Sequence, residues 1–126
     1  MTVGKAAATA NSYLNVYRNT AYAAIANVYV KLHTGDPGAA GTSNASALTT
    51  RNEITWNAAS GGSMTLLALA DYSMTASETI SHVSLWTDAS AGTFLESAAL
   101  SAGVPVINGS TLTFDTFTLG FTPIAA

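Results

Sequence analysis

The side chains able to do acid–base, nucleophilic or metal chemistry are few and scattered. His33 and His82 are the only two histidines, and cysteine is absent. A metal centre or a catalytic triad needs several such groups converging on one point, yet the chain has no His-x-x-x-His or His-Glu spacing. Asp36, beside His33, and Asp88, near His82, lie in turn strings and read as turn residues first. Gly61-Gly62 lacks the further glycine and lysine of a phosphate loop and reads as a hairpin turn. The expectation is therefore a protein without catalytic, metal or cofactor-binding residues, not an enzyme. Trp56, Trp86, Tyr13, Tyr17, Tyr22, Tyr29 and Tyr72 could stack on carbohydrate, but large aromatics in alternating strands belong first to a core. Tyr29, on the polar face of its strand beside Lys31, is the better interface anchor.

Charge narrows the partners. The 4 basic and 7 acidic side chains give a net charge of −3, and Lys5, Arg18, Lys31 and Arg51 stand far apart along the chain. Nucleic-acid binding draws on clustered Lys and Arg, so it is disfavoured. Without cysteine there is no disulfide framework. No apolar run approaches the ~20 residues that span a bilayer, and residues 1–11 do not form a basic leader with an apolar run. No membrane is expected as partner, and synthesis is expected in the cytoplasm. Charged residues make up only 9% of the 126, against about 25% in ordinary soluble domains, and Ala, Thr and Ser dominate instead. A surface so poor in charge suits a protein partly covered in an assembly.

The elements that must position these residues follow from periodicity. Residues 5–19 read as a helix, with Ala10, Tyr13, Leu14 and Tyr17 on one apolar stripe. The stripe is expected to pack across an open end or edge of the sheet system, the alternative being a helix docked on a neighbouring subunit. Val28, Val30 and Leu32 alternate with Tyr29, Lys31 and His33 in a half-buried strand that stops at Gly35-Asp36-Pro37-Gly38. Further strands are read at 51–56, 64–70, 80–87, 93–100 and 104–107, with a last one from Ser110. Asn108-Gly109 reads as a type I′ hairpin turn. In the last strand Leu112 and Phe114 have one parity and Phe117, Leu119 and Phe121 the other, which calls for a bulge near Asp115 or Thr116. The expected architecture is a single domain over 1–126, mainly β. It is a β-sandwich, with a jelly-roll as one form of it, of about seven short antiparallel strands over about 27–122 and one N-terminal α-helix.

The run Leu32-His33-Thr34-Gly35-Asp36-Pro37-Gly38, followed by Gly41-Thr42 and Asn44, resembles a segment of small structural proteins of tailed bacteriophages. Ala58-Ala59-Ser60-Gly61-Gly62-Ser63, His82-Val83-Ser84-Leu85-Trp86-Thr87-Asp88-Ala89 and Asn108-Gly109-Ser110-Thr111 follow in the same order as in those chains. The resemblance, which covers most of the chain from Thr20 onward, implies a virion protein that binds other virion proteins. The first expectation is a capsid decoration or minor capsid protein on the outside of the shell. The alternative is a minor tail or tail-tip protein that contacts the host surface. Its partners are then the major capsid protein or tail proteins of the same virion, together with further copies of itself as a homo-oligomer. The residues expected at the interface are Tyr13, Leu14, Tyr17, Tyr29, Gly35, Asp36, Pro37, Gly38 and Asn44. On that reading removal of residues 1–11 weakens attachment more than folding, because the sheet begins only near Val28.

Overall fold

A computed structural model describes residues 3–121. The chain enters as an extended segment whose Lys5 pairs with Glu96, then forms helix α1 (Ala7–Asn15) and a 3-10 turn (Val16–Arg18). Among the described residues eight strands follow: β1 (Val28–His33), β2 (Asn52–Trp56), β3 (Ser63–Leu69), β4 (Tyr72–Ser73), β5 (Glu78–Trp86), β6 (Phe94–Val106), β7 (Thr111–Leu112) and β8 (Thr118–Gly120). Six of them build an antiparallel sheet in the order β6-β5-β1-β2-β3-β8, and β4 pairs with β7 in a second, two-stranded sheet. The class is the expected one, a mainly β, sandwich-like fold with one short N-terminal helix.

The two layers meet in one apolar cluster. Val30 and Leu32 of β1, Ile54 of β2, and Ile80, Val83 and Leu85 of β5 face Tyr72 and Met74 from the β4 side and Leu112 of β7. The opposed pair Tyr72↔Leu112 puts both of those large side chains into the core. Tyr72 keeps its hydroxyl satisfied there, donating to the Val30 carbonyl at 2.6 Å. Burial pushes this phenol well above its usual pKa, so it remains a donor throughout the working pH range. Tyr72→Phe leaves the Val30 oxygen without this donor and is expected to cost about 1 kcal/mol, read as a lower denaturation midpoint with unchanged slope.

The Gly61-Gly62 turn is the tight hairpin it was expected to be. Both residues have positive φ, 61° and 83°, and Ser60 and Ser63 exchange two backbone hydrogen bonds at 2.8 and 3.2 Å. These are the features of a type I′ turn, which only residues free of a Cβ penalty adopt readily.

Several elements depart from the periodicity. The helix does not begin at residue 5, because Ala6 is still extended and donates its N–H to the Leu95 carbonyl at 2.8 Å. It ends before Asn19, which takes the left-handed conformation at φ 64°. The expected strands 93–100 and 104–107 are one strand, β6, interrupted by a large bulge. Ile80 pairs with Val104 but His82 with Ala99, so Leu100–Gly103 stand against Ser81 alone. The same place shifts the parity of β5, which buries Ile80 and then Val83 and Leu85.

Asn108-Gly109 is a turn but not a type I′ hairpin. Only Gly109 has positive φ, 87°, and the Ile107 carbonyl accepts from the Ser110 N–H at 3.0 Å, as in a type II turn. The strands it joins do not pair with each other, since β7 goes to β4. The last strand is not bulged either. It breaks, with β7 in the small sheet and β8 beside β3, and the intervening chain crosses between layers. The crossing lets Phe114, Phe117 and Leu119 all pack against the core despite their opposite parities.

The six-stranded sheet is curled. Lys5, paired to β6 through Glu96, lies with its Nζ 5.0 Å from the ring centre of Phe121, which directly follows β8. The two edges of the sheet therefore approach each other at the N-terminal segment. Farther along the seam a groove of about 440 Å³ separates Leu100 and Val104 on β6 from Phe114, Asp115 and Phe117.

Candidate interaction surface

The chemistry-bearing residues come together, but inside the protein. His33, expected on the polar face of β1, is fully buried, and so is Ser84, diagonal to it on β5, where His82 is the residue directly opposite. His33 Nδ1 lies 2.8 Å from the Ser43 carbonyl oxygen, which can only accept, so Nδ1 carries the proton. His33 Nε2 then accepts from Ser84 Oγ at 2.7 Å, and the same oxygen accepts from Trp86 Nε1 at 2.7 Å. Every donor has one acceptor in this chain of bonds. Burial pulls the imidazole below its usual pKa, opposed by its bond to the Ser43 carbonyl and reinforced by Lys31 and His82 nearby. A serine hydrogen-bonded to a neutral histidine is the start of a nucleophilic pair, but both groups have 0% exposure. A substrate has no route to them in this geometry.

What covers His33 is the loop carrying Gly35-Asp36-Pro37-Gly38. Asp36 Oδ1 accepts from the Gly38 N–H at 2.8 Å, in keeping with the turn role expected of Asp36. Asn44, left-handed at φ 54°, donates its side-chain amide to the Asp36 carbonyl at 2.9 Å. The Thr34 N–H returns to the Asn44 carbonyl at 2.8 Å, and the Ser46 N–H to that of Leu32 at 3.1 Å. The far end is tied to β5, where the Glu78 carboxylate accepts from the Ser46 hydroxyl and, at 3.1 Å, from the Ala47 N–H. The loop is thus a lid packed on the second face of β1 and β5. Pro37 is fully buried and Gly35, Asp36 and Gly38 are half-buried, so of this set only Asn44 is exposed. Tyr29 is half-buried beside Trp86, its cross-strand partner. Of the aromatics that might have met carbohydrate, the two tryptophans are likewise engaged. Trp86 is buried under the Arg51 guanidinium, 4.1 Å from its ring centre, and half-buried Trp56 packs edge-on against Phe117 at 5.5 Å.

Of the two expectations placed on the helix, packing of its stripe across the sheet system is not what the structure shows. Thr9 is the only residue of α1 that is buried, while the stripe, whose Tyr13, Leu14 and Tyr17 are also among the residues expected at an interface, faces solvent. Tyr17 is 92% exposed, Leu14 63% and Tyr13 37%. The helix is held instead by the extended residues before it. Besides the bond from Ala6, the Ser97 N–H donates to the Gly4 carbonyl at 2.8 Å, and Lys5 forms an ion pair with Glu96 at 3.0 Å. Removing residues 1–11 therefore strikes the fold itself, contrary to the expectation that the sheet begins near Val28. A loss of about 2–3 kcal/mol is expected from the missing edge bonds and the uncovered Thr9 site, measured as thermal unfolding of the truncated chain beside the full one.

Tyr13 links the helix to both ends of the fold. Its ring meets Tyr22 edge-on at 5.2 Å and Phe121 at 5.9 Å. Lys5 Nζ lies over the Tyr13 ring at 5.3 Å as well as over that of Phe121. Val16 and Phe121, 52% and 64% exposed, extend the apolar surface and were not among the residues expected there. The helical spacing of Val16 from Tyr13 could have found the first. Nothing local points to the second, which arrives from the opposite edge of the sheet.

The architecture defines a mainly β, sandwich-like module whose polar groups serve its own packing and whose helix presents an apolar face outward. Residues 4–122 match a family of phage proteins described as podophage GP4 fiber I protein gp80. The chain belongs to that family, and it is a structural protein of a bacteriophage virion. No curated protein matches it.

Proposed function

We propose that the protein is a minor tail component, a subunit of a tail fibre or of its attachment, and that it acts without catalysis. The observation that carries this reading is the family match over residues 4–122, whose description names a fibre protein. The exposed apolar helix face adds to it, because a large uncharged patch on a small protein marks a surface covered in an assembly. The sealed His33–Ser84 pair supports the absence of a reaction. Decoration of the outer shell rests on the sequence resemblance and the small size of the chain, and neither points to the shell rather than the tail. Its partners on the proposed reading are tail proteins of the same virion and further copies of itself, without cofactor, nucleic acid or membrane.

The test is electron microscopy of virions carrying a gold-binding tag on this protein. Label confined to the tail is the expected result. Label spread over the head surface would overturn the tail assignment and restore the decoration reading.

A further inference from the structure

We infer that Tyr29, Lys31, Arg51 and Glu53 form a binding site for a sugar that carries one carboxylate, a saccharide residue of the uronic-acid class. The inference does not depend on where in the virion the protein sits. The basic residues are scattered along the sequence, but the fold gathers two of them. In the ladder between β1 and β2, Tyr29 pairs with Glu53 and Val30 with Asn52, so the next residues along the two chains are Lys31 and Arg51. Alternation turns Tyr29 and Lys31 away from the core side of β1, and Tyr29 is flanked by Glu53 on β2 and Trp86 on β5. Arg51 reaches this same face, because its guanidinium lies 4.1 Å from the centre of the Trp86 ring.

Both cations stand ready for an anion. Like charges on neighbouring strands work against a sheet, and burial together with the charge of Arg51 holds the Lys31 ammonium below its usual pKa. Among the described residues the ion pair formed is Lys5 with Glu96, so neither Lys31 nor Arg51 is paired with a carboxylate. The two acidic groups of the neighbourhood are engaged elsewhere. Asp88 Oδ1 accepts from the Ser90 N–H at 3.1 Å, and Asn27 turns its side-chain amide to the Glu53 carboxylate, 2.9 Å away. The guanidinium is also held in place, since Arg51 Nη1 donates to the Asp88 and Ala91 carbonyls at 3.0 and 2.7 Å. A cation fixed in this way loses little freedom when an anion binds.

The rest of the patch selects a sugar over an acidic peptide. The charges of Lys31 and Arg51 are balanced by those of Glu53 and Asp88, so a ligand with a single negative charge fits and a run of acidic side chains is repelled. Glu53 is exposed and as a carboxylate only accepts hydrogen bonds, which suits the hydroxyls of a saccharide. Tyr29, half-buried between Glu53 and Trp86, supplies an aromatic surface with a polar tip. The carboxylate of the sugar goes to Lys31 and Arg51, and its hydroxyls go to Glu53.

Amide NMR of the full chain, titrated with methyl glucuronide at constant pH and ionic strength, tests this. Saturable shifts at the amides of Tyr29, Lys31 and Glu53 are expected, with a dissociation constant on the order of 1–10 mM for so open a site. Methyl glucoside, which lacks the carboxylate, and acetate, which lacks the hydroxyls, are each expected to bind at least about tenfold more weakly. Lys31→Gln is expected to weaken methyl glucuronide at least about tenfold without lowering the unfolding temperature, because it removes a repulsion from the sheet. Lys31→Arg keeps the charge and is expected to keep the binding. Absence of a saturable shift overturns the inference, as do shifts confined to another part of the surface. So do binding indifferent to Lys31→Gln, acetate bound as tightly as methyl glucuronide, or a hexaglutamate peptide bound more tightly than the sugar.

Discussion

Gly41→Ala is expected to cost about 3 kcal/mol, lowering the unfolding temperature by roughly 10–15 °C. Two effects add at this buried position. Gly41 has φ +74°, where any Cβ is strained, and a Cβ built there lies 2.5 Å from Phe94 Cδ1 and 2.6 Å from Cγ. The ring cannot simply swing away, because Phe94 packs on Trp86 at 5.4 Å. The loop must therefore lift, and Ser43, two residues on, supplies the carbonyl that holds His33 Nδ1. Gly109 separates the two contributions. Its φ of +87° carries similar backbone strain, but nothing lies within 4 Å of its added Cβ, so Gly109→Ala is expected to cost only about 1 kcal/mol. Gly109→Val carries a stiffer side chain and is expected to cost somewhat more. Calorimetric unfolding of the alanine variants decides the point, and equal losses would show that the Phe94 contact carries no weight.

How much of this was legible in the sequence depends on whether the deciding contacts are local. The Gly61-Gly62 turn declares itself because two adjacent glycines are what a type I′ turn requires, and the strands on either side confirm it. Val30 and Leu32 alternate into the core as their spacing demands. His33 obeys the same alternation, yet alternation says only that it faces away from Val30 and Leu32, not whether water or another layer is there. The loop that covers it is held by Asn44, Ser46 and Glu78, contacts that no spacing rule connects to a strand.

The strands β4 and β7 are two residues each, too short for any periodicity. They matter because Tyr72 and Leu112 close the core from the second layer. Asn108-Gly109 misled for the same reason, since the turn chemistry is real but Leu112 is taken by Tyr72 rather than by the strand preceding the turn. The apolar stripe of the helix was visible, and its direction was not. Helical spacing shows that Tyr13 and Tyr17 share a face, but the choice between core and solvent was made by Gly4, Lys5 and Ala6, whose pairing with β6 fixes how the helix lies.

Acidification is expected to destabilise the protein through His33, with the loss beginning as pH falls below about 6.5. The imidazole is neutral in the fold because burial disfavours its charge, so its folded pKa lies below its unfolded one. Between those two values the unfolded chain binds the extra proton and the folded chain does not, so stability rises with pH across the window. The contribution is complete above the unfolded pKa and is lost progressively toward the folded one. The hydrogen bonds give the structural reason. A proton on Nε2 turns that atom into a donor toward Ser84 Oγ, which already accepts from Trp86 Nε1. The serine must then aim its own proton elsewhere in a buried site, leaving a donor unsatisfied. His33→Gln keeps a polar side chain but cannot titrate, so its unfolding temperature should start lower at pH 8 and change less between pH 8 and 5 than that of the native chain. Thr34 to Ser46 should open first, and amide hydrogen exchange is expected to show faster exchange at the Ser46 N–H, bonded to the Leu32 carbonyl, at pH 5 once the intrinsic pH dependence is removed. A native chain whose stability is flat from pH 8 to 5, or a His33→Gln variant with the same slope, would place the protonation of His33 outside the forces that hold this loop down.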